Sequence, residues 1–210
     1  ALANPAVGTR AHPGQTSICI TAKADSEGEA DTLIVPVERE LRARLGSYIF
    51  GADEETLADV LSELLAEKGL RLAVVETVTR GELAQRLGGA VKGEAVLAGA
   101  TVLHTREGIA RSLGIPRGAL TDVGLPRQDT ADLCARAVRD LFGVALGLAV
   151  MGPWDPSAPD SPPVYFSLAT RDQVQHGESR QGRAGPAGRG WLMHLAMDLV
   201  RGYLLGRDRS

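Results

Sequence analysis

Aromatic residues are scarce, with three Phe, three Tyr and two Trp making up 4% of the 210 residues. Stacking platforms for unpaired bases need clustered aromatics, and none are clustered here. Basic charge is not in excess either. The formal net charge is −3, so the chain lacks the cationic surface of a nucleic-acid or anionic-membrane binder, and no direct nucleic-acid partner is expected. No apolar run approaches the length of a membrane span. Cysteine is limited to Cys19 and Cys134, both in apolar patterns, as reduced core thiols are. No secretory signal pattern opens the sequence, so a cytoplasmic protein is expected. His12, His176 and His194 are scattered at spacings that suit no metal, and nothing calls for a cofactor.

The chain is 44% hydrophobic and 23% charged, an ordinary globular balance. Its length allows one large domain or two small ones with a real core. It begins with Ala rather than Met, which suggests a fragment of something longer.

Two blocks are legible. In residues 1–51, SICITAKA (17–24) alternates as a half-buried strand does. Leu33, Val37, Leu41 and Leu45 follow at helical spacing, although Pro36 interrupts the early part, and SYIF (47–50) reads as a short strand. This predicts a β-α-β unit. The second block, 52–210, alternates strands and helices, which argues for a layered α/β fold. Asp53 is the expected N-cap of a helix carrying Leu57, Val60, Leu61, Leu64 and Leu65, ended by Gly69. Further elements are a strand Leu72–Val75, a helix from about Thr79 to Leu87, a strand Ala95–Leu103, and a helix from about Arg106 to Leu113. A helix from about Thr130 to Phe142 precedes a fully apolar strand, 144–151. A proline-rich loop (152–163) leads to a strand 164–170. Residues 177–190, rich in Gly, Arg and Ser, read as loop, with only a weak case for nucleic-acid contact. The chain closes with an amphipathic helix from Trp191 to Leu205, suited to the core or to a dimer interface.

The chemistry concentrates in AVVETVTRG (73–81). An apolar run stops at Glu76, and small hydroxyl residues and a glycine precede a helix start. Such strand-to-helix turns hold phosphates or present nucleophiles in α/β proteins. Here LAEKGLRLAVVETVTRGELAQRLGG resembles the opening of the C-terminal domain of the CinA family, competence/damage-inducible proteins that include nicotinamide mononucleotide deamidases. GATVLHTREGIARSLGI and GLAVMGPWDP resemble its second and third blocks. The first block of the chain, from NPAVGTRAHPGQTSICITAKADSEGEADTLI to LRARLGSYIFGADEETL, resembles the family's small KH-type α/β module. The family's N-terminal domain, similar to molybdopterin-binding proteins, has no counterpart here.

The resemblance implies a serine nucleophile in Glu-Ser-Cys-Thr-Gly-Gly and a nearby lysine base. In this chain Glu76, Thr79 and Gly81 keep the pattern, while Thr77 stands at the serine, Val78 at the cysteine and Arg80 at the first glycine. His104, Thr105 and Arg106 stand at the family's Tyr-Ser-Asn, and Ile109 at its lysine. In the third block Met151 replaces a threonine, Gly152 is kept, and Trp154-Asp155-Pro156-Ser157 replaces a glycine-rich turn. A hydroxyl attacks at neutral pH only when a base takes its proton, and Ile109 has none to offer. His104 is the substitute base if it reaches Thr77. Three readings of Thr77 and Thr79 follow: helix capping, a phosphate-binding hydroxyl pair, or catalysis. Arg80 and Arg106 would clamp a phosphate if both faced one cleft. The expected ligand-binding set is Glu76, Thr79, Arg80, Gly81, Thr105 and Gly152, and Thr77 and His104 occupy the catalytic positions. The implied partners are a nicotinamide nucleotide or another phosphate-bearing small molecule, a protein linked to competence or DNA repair, and a second copy in a homodimer.

Overall fold

The computed structural model describes residues 4–120, 127–152, 163–180 and 185–207. The chain divides into two compact units, Ala1–Ala52 and Asp53–Ser210.

In the first unit, strands β1 (Ala6–His12) and β2 (Gln15–Thr21) form an antiparallel hairpin in the register Ala6↔Thr21 to His12↔Gln15. Helix α1 (Glu27–Leu45) packs on β2. The order is therefore β-β-α, not the β-α-β expected from the sequence. β1 was hidden because every one of its residues is exposed, so it carries no apolar alternation. Its turn relies on Gly14, whose φ of 85° suits only glycine well. Pro36 lies inside α1 without ending it. Packing of the Leu33–Val37–Leu41–Leu45 face outweighs the hydrogen bond that proline removes. SYIF is not a strand: Gly46–Tyr48 is a 3-10 turn, and Ile49 and Phe50 lie outside the described strands. No described residue of this unit is fully buried.

The second unit opens with α2 (Leu57–Glu67), capped by the Thr56 hydroxyl on the Asp59 amide at 3.1 Å. Asp53, the expected cap, lies upstream in a left-handed turn with φ 51°. The remaining elements are β3 (Leu72–Glu76), α3 (Glu82–Gly88), α4 (Gly93–Val96), β4 (Leu97–Val102), α5 (Arg106–Leu113), α6 (Gln128–Phe142), β5 (Leu146–Met151), β6 (Val164–Ala169), β7 (Val174–Ser179) and α7 (Gly185–Leu204). The expected strand from Ala95 thus begins two residues later, after one turn of helix. β7 and the first turns of α7 occupy most of the stretch that read as loop. Glycines and arginines carried no period there, yet Ser179 and Gly190 are buried. Residues 181–184 of that stretch, and 153–162 of the proline-rich segment, lie outside the described residues.

The sheet order is β4-β3-β5-β6-β7, with β3 parallel to β4 and β5, and β6 and β7 antiparallel. β3 and β5 are buried along their whole length, as strands covered on both faces are. α5 and α6 cover one face, where Ala73, Val75, Ile109, Cys134, Val138, Ala149 and Met151 form one buried cluster. α7 covers the other face together with α2, which it packs against. α6 sits close to the strands because a Cβ at Gly147 would overlap the Ala135 carbonyl, and one at Gly99 would overlap the Phe142 ring.

Candidate functional site

The connections from β3 and β4 leave on opposite faces of the sheet: α3 and α4 contact α2, whereas α5 contacts α6. Adjacent strands whose connections diverge leave a crevice at their carboxyl ends, and this is where open α/β sheets bind ligands. Glu76–Gly81 and Leu103–Arg106 line that place. The end of β3 is pinned between its neighbours, since the Leu103 amide donates to the Glu76 carbonyl and the Thr77 amide to the Val150 carbonyl, both at 3.0 Å.

Each hydroxyl and carboxylate of the turn has a distinct situation. Thr77 is 4% exposed. Its Oγ1 accepts the Gly152 amide hydrogen at 2.8 Å and makes a longer contact of 3.4 Å to the Val150 carbonyl. It thereby ties the end of β3 to the end of β5. Glu76 is completely buried, and its carboxylate accepts from the Ala84 amide at 3.0 Å and the Leu83 amide at 3.4 Å. Glu76 thus serves the first turn of α3, where a negative charge is favoured. This corrects the capping role expected of Thr77 and Thr79. The N-cap position itself is Gly81, with φ 92°. Thr79 is also completely buried, but its Oγ1 has no hydrogen-bond partner. Arg80 sits in the left-handed region with φ 58°, exposed, where a glycine would carry no penalty.

His104 and Thr105 are exposed at the end of β4. Thr105 caps α5 by accepting from the Gly108 amide at 3.0 Å. No hydrogen bond joins His104 to Thr77. Arg106 does not form a clamp with Arg80; its guanidinium donates to the carbonyls of Leu120 and Arg117, fastening α5 to the following turn. Ile109 is 1% exposed and belongs to the same buried cluster as Met151. Val78 packs over Gly152 so closely that a Cβ there would lie 2.7 Å from Val78 Cγ1. The Trp154–Ser157 turn lies outside the described residues.

Two family models match this chain: the CinA C-terminal domain over residues 54–204 and the damage-inducible protein CinA KH domain over residues 1–51. The chain belongs to the CinA family. It is 34% identical over its whole length to a CinA-like protein of Frankia casuarinae, of which it covers 49%. A CinA-like protein of Gloeobacter violaceus is 32% identical over 94% of this chain and 48% of its own. The chain therefore spans about half the length of these CinA relatives. Among solved structures, a CinA superfamily protein of Escherichia coli matches with a TM-score of 0.64 at 19% identity, over 76% of this chain and 98% of that one. A competence/damage-inducible protein of Agrobacterium tumefaciens matches with a TM-score of 0.62 at 22% identity, over 72% and 98%. These two likenesses show the CinA fold.

The CinA fold also gathers residues that sequence reading missed. Arg189 of α7 pairs with Glu82 of α3 at 2.5 Å, tying the start of α7 to the turn beside Gly81. Further along α6, Asp132 accepts from the Ser167 hydroxyl at 2.7 Å and from Gln128 at 2.9 Å, and lies 3.0 Å from His176 Nε2. No short motif announces either group, because the partners are far apart in sequence. Among the described residues, no three His, Cys, Asp or Glu side chains gather as a metal site. No described helix is long and apolar enough to cross a membrane.

Proposed function

We propose that this CinA-family protein is a cytoplasmic binder of a phosphate-bearing small molecule, nicotinamide nucleotides first, which it holds at the β3–α3 turn without hydrolysing. One observation carries the reading: the Thr77 hydroxyl is buried and accepts the Gly152 amide hydrogen, and no titratable group is bonded to it. A hydroxyl in that state lacks the base that activation requires. Thr79 Oγ1 supports the binding half of the proposal. A buried polar atom without a partner is uncommon. The exposed Arg80 supplies a cation beside it, in the family's glycine position.

A second reading rests on His104, which is exposed and is joined by no hydrogen bond or ion pair to the described residues. In that reading His104 takes the Thr77 proton, Oγ1 bonds to the carboxamide carbon, ammonia leaves with that proton, and water releases nicotinate mononucleotide. Incubation of the purified protein with nicotinamide mononucleotide separates the two. The binding reading expects no ammonia above blank at high protein concentration, together with a rise in melting temperature. A ligand at a hundredfold its Kd adds about 2.7 kcal/mol of stability. Ammonia release abolished by Thr77→Ala would replace the first reading with the second. No thermal shift with any mono- or dinucleotide would leave a protein partner linked to competence or DNA repair as the remaining role.

A further inference from the structure

The ion pair between Glu82 and Arg189 joins α7 to the β3–α3 turn through a single contact. The Glu82 amide donates to the Thr79 carbonyl at 3.0 Å, so its carboxylate is carried by the turn itself. The Arg189 side chain is 18% exposed and that of Glu82 is 36% exposed. Arg189 Nε donates to Glu82 Oε1 at 2.5 Å, and its Nη1 and Nη2 hydrogens meet no acceptor among the described residues. A guanidinium that only fastened two helices is expected to grip the carboxylate with both prongs of its fork. This fork is half used. The charges nearby point the same way. Glu76 is completely buried, with its carboxylate taken by the Leu83 and Ala84 amides, and Arg80 is exposed two residues before Glu82. Glu82 is therefore the accessible carboxylate beside two arginines, in the position that a bound anion would take.

We propose that Glu82 is an internal competitor for the phosphate of the ligand: its carboxylate occupies Arg189, and a phosphate monoester binds by displacing it. This rests on the binding reading above. It adds to that reading the residue that receives the phosphate and the residue that sets how strong an anion must be to enter. Apparent affinity is the intrinsic affinity reduced by the fraction of molecules in which Arg189 is free. Every ligand that needs Arg189 therefore loses the energy of the Glu82 pair. A dianionic phosphate regains it by engaging the whole fork, with two parallel N–H···O bonds in place of one. A neutral ligand such as the unphosphorylated nucleoside has nothing to offer the guanidinium and leaves the pair closed.

Calorimetric titration of the whole chain with nicotinamide mononucleotide, and separately with inorganic phosphate, tests this. Glu82→Gln keeps the size of the side chain and removes its charge. It should tighten both ligands about fivefold, the worth of a well-placed ion pair at a partly exposed position. Arg189→Met should weaken nicotinamide mononucleotide by about the same factor or more. In the Arg189→Met background the gain from Glu82→Gln should vanish, whereas mere removal of a nearby negative charge would still show there. The Arg189 Nε–H resonance of the wild type covers the case in which Arg189→Met fails to fold, and it should move as nicotinamide mononucleotide fills the site. Wild-type binding that Glu82→Gln leaves unchanged or weakens overturns the competitor and leaves the binding reading in place. So does a gain that persists in Arg189→Met, or a resonance that stays still at saturation. No binding by either the wild type or Glu82→Gln overturns both.

Discussion

Replacing Thr77 by valine is the perturbation that best separates structure from chemistry at the turn. Valine keeps the shape and the β-branch but cannot accept a hydrogen bond. The Gly152 amide, buried at the end of β5, would lose the acceptor it now holds at 2.8 Å. Leaving a buried donor unsatisfied costs about 1–3 kcal/mol. Thr77→Ser keeps the acceptor and loses one methyl group, worth about 0.8 kcal/mol when buried. The expected order of stability is wild type, then serine, then valine. Urea denaturation followed by tryptophan fluorescence reads it directly, since Trp154 and Trp191 both belong to the second unit. With a slope of about 2 kcal/mol per molar urea, the valine variant should unfold roughly 0.5–1.5 M earlier. A valine variant as stable as wild type refutes the reasoning. The hydroxyl would then hold nothing in place, and the case for Thr77 as a nucleophile would regain its footing.

Three other outcomes follow from single contacts. Arg80→Gly should raise stability by about 1 kcal/mol in a thermal melt, because a side chain at φ 58° carries a left-handed penalty that glycine lacks. The Thr56 hydroxyl, first, and the Val91 amide hold the Asp59 carboxyl below its ordinary range. A carboxyl whose folded pKa lies below its unfolded one contributes stability that is complete above the unfolded pKa and is lost as pH falls through the folded one. The Asp59→Asn difference in urea midpoint should therefore be largest near neutrality and close in acid. Burial pushes the Cys134 thiol up to about 12, whereas Cys19 is exposed. One thiol per chain should react with a disulfide reagent in the native protein and two in denaturant, and rapid native labelling of both would show that α6 does not shield Cys134.

How much of this was readable follows the range of the forces involved. β3 and β5 announce themselves as apolar runs because parallel strands are covered on both faces, and α6 announces itself by the spacing of Ala131, Cys134, Ala135 and Val138. β1 and β7 do not, since an edge or hairpin strand with exposed residues has no burial pattern to print on the sequence. Thr56 replaced Asp53 as cap because capping depends on where the first helical turn is fixed, and Leu57 and Ala58, not Asp53, are the buried anchors. At the site, the turn from Glu76 to Gly81 was legible as a turn. What its atoms bond to was not. The partner of Thr77 lies 75 residues away at Gly152, and Arg189 reaches Glu82 across 107. Glu76 shows the limit most sharply, for the sequence offered it as a ligand contact while its carboxylate is occupied by two amides of α3.

Three of the departures implied by the family resemblance fall together on the floor of the turn. Ile109 stands at the lysine position and Met151 at a threonine position, and both are buried in one apolar cluster beneath α6. Val78, at the cysteine position, packs on Gly152 and takes up the space above it. Three polar positions have thus become aliphatic together, and the aliphatic groups are in contact with core rather than with solvent. A single lost lysine would leave a cavity or an unpaired partner, and either would cost stability. Coordinated replacement avoids both, because packed apolar side chains leave no void and need no hydrogen-bond partner. What stays polar and exposed there is the Arg80 side chain on its left-handed turn, while the unpartnered Thr79 hydroxyl is buried. Among the described residues, no titratable group is hydrogen-bonded to the Thr77 hydroxyl, and the exposed cation beside the turn is Arg80. The filled floor, with the Thr77 hydroxyl tied to the Gly152 amide, is what motivates the proposal of binding without turnover.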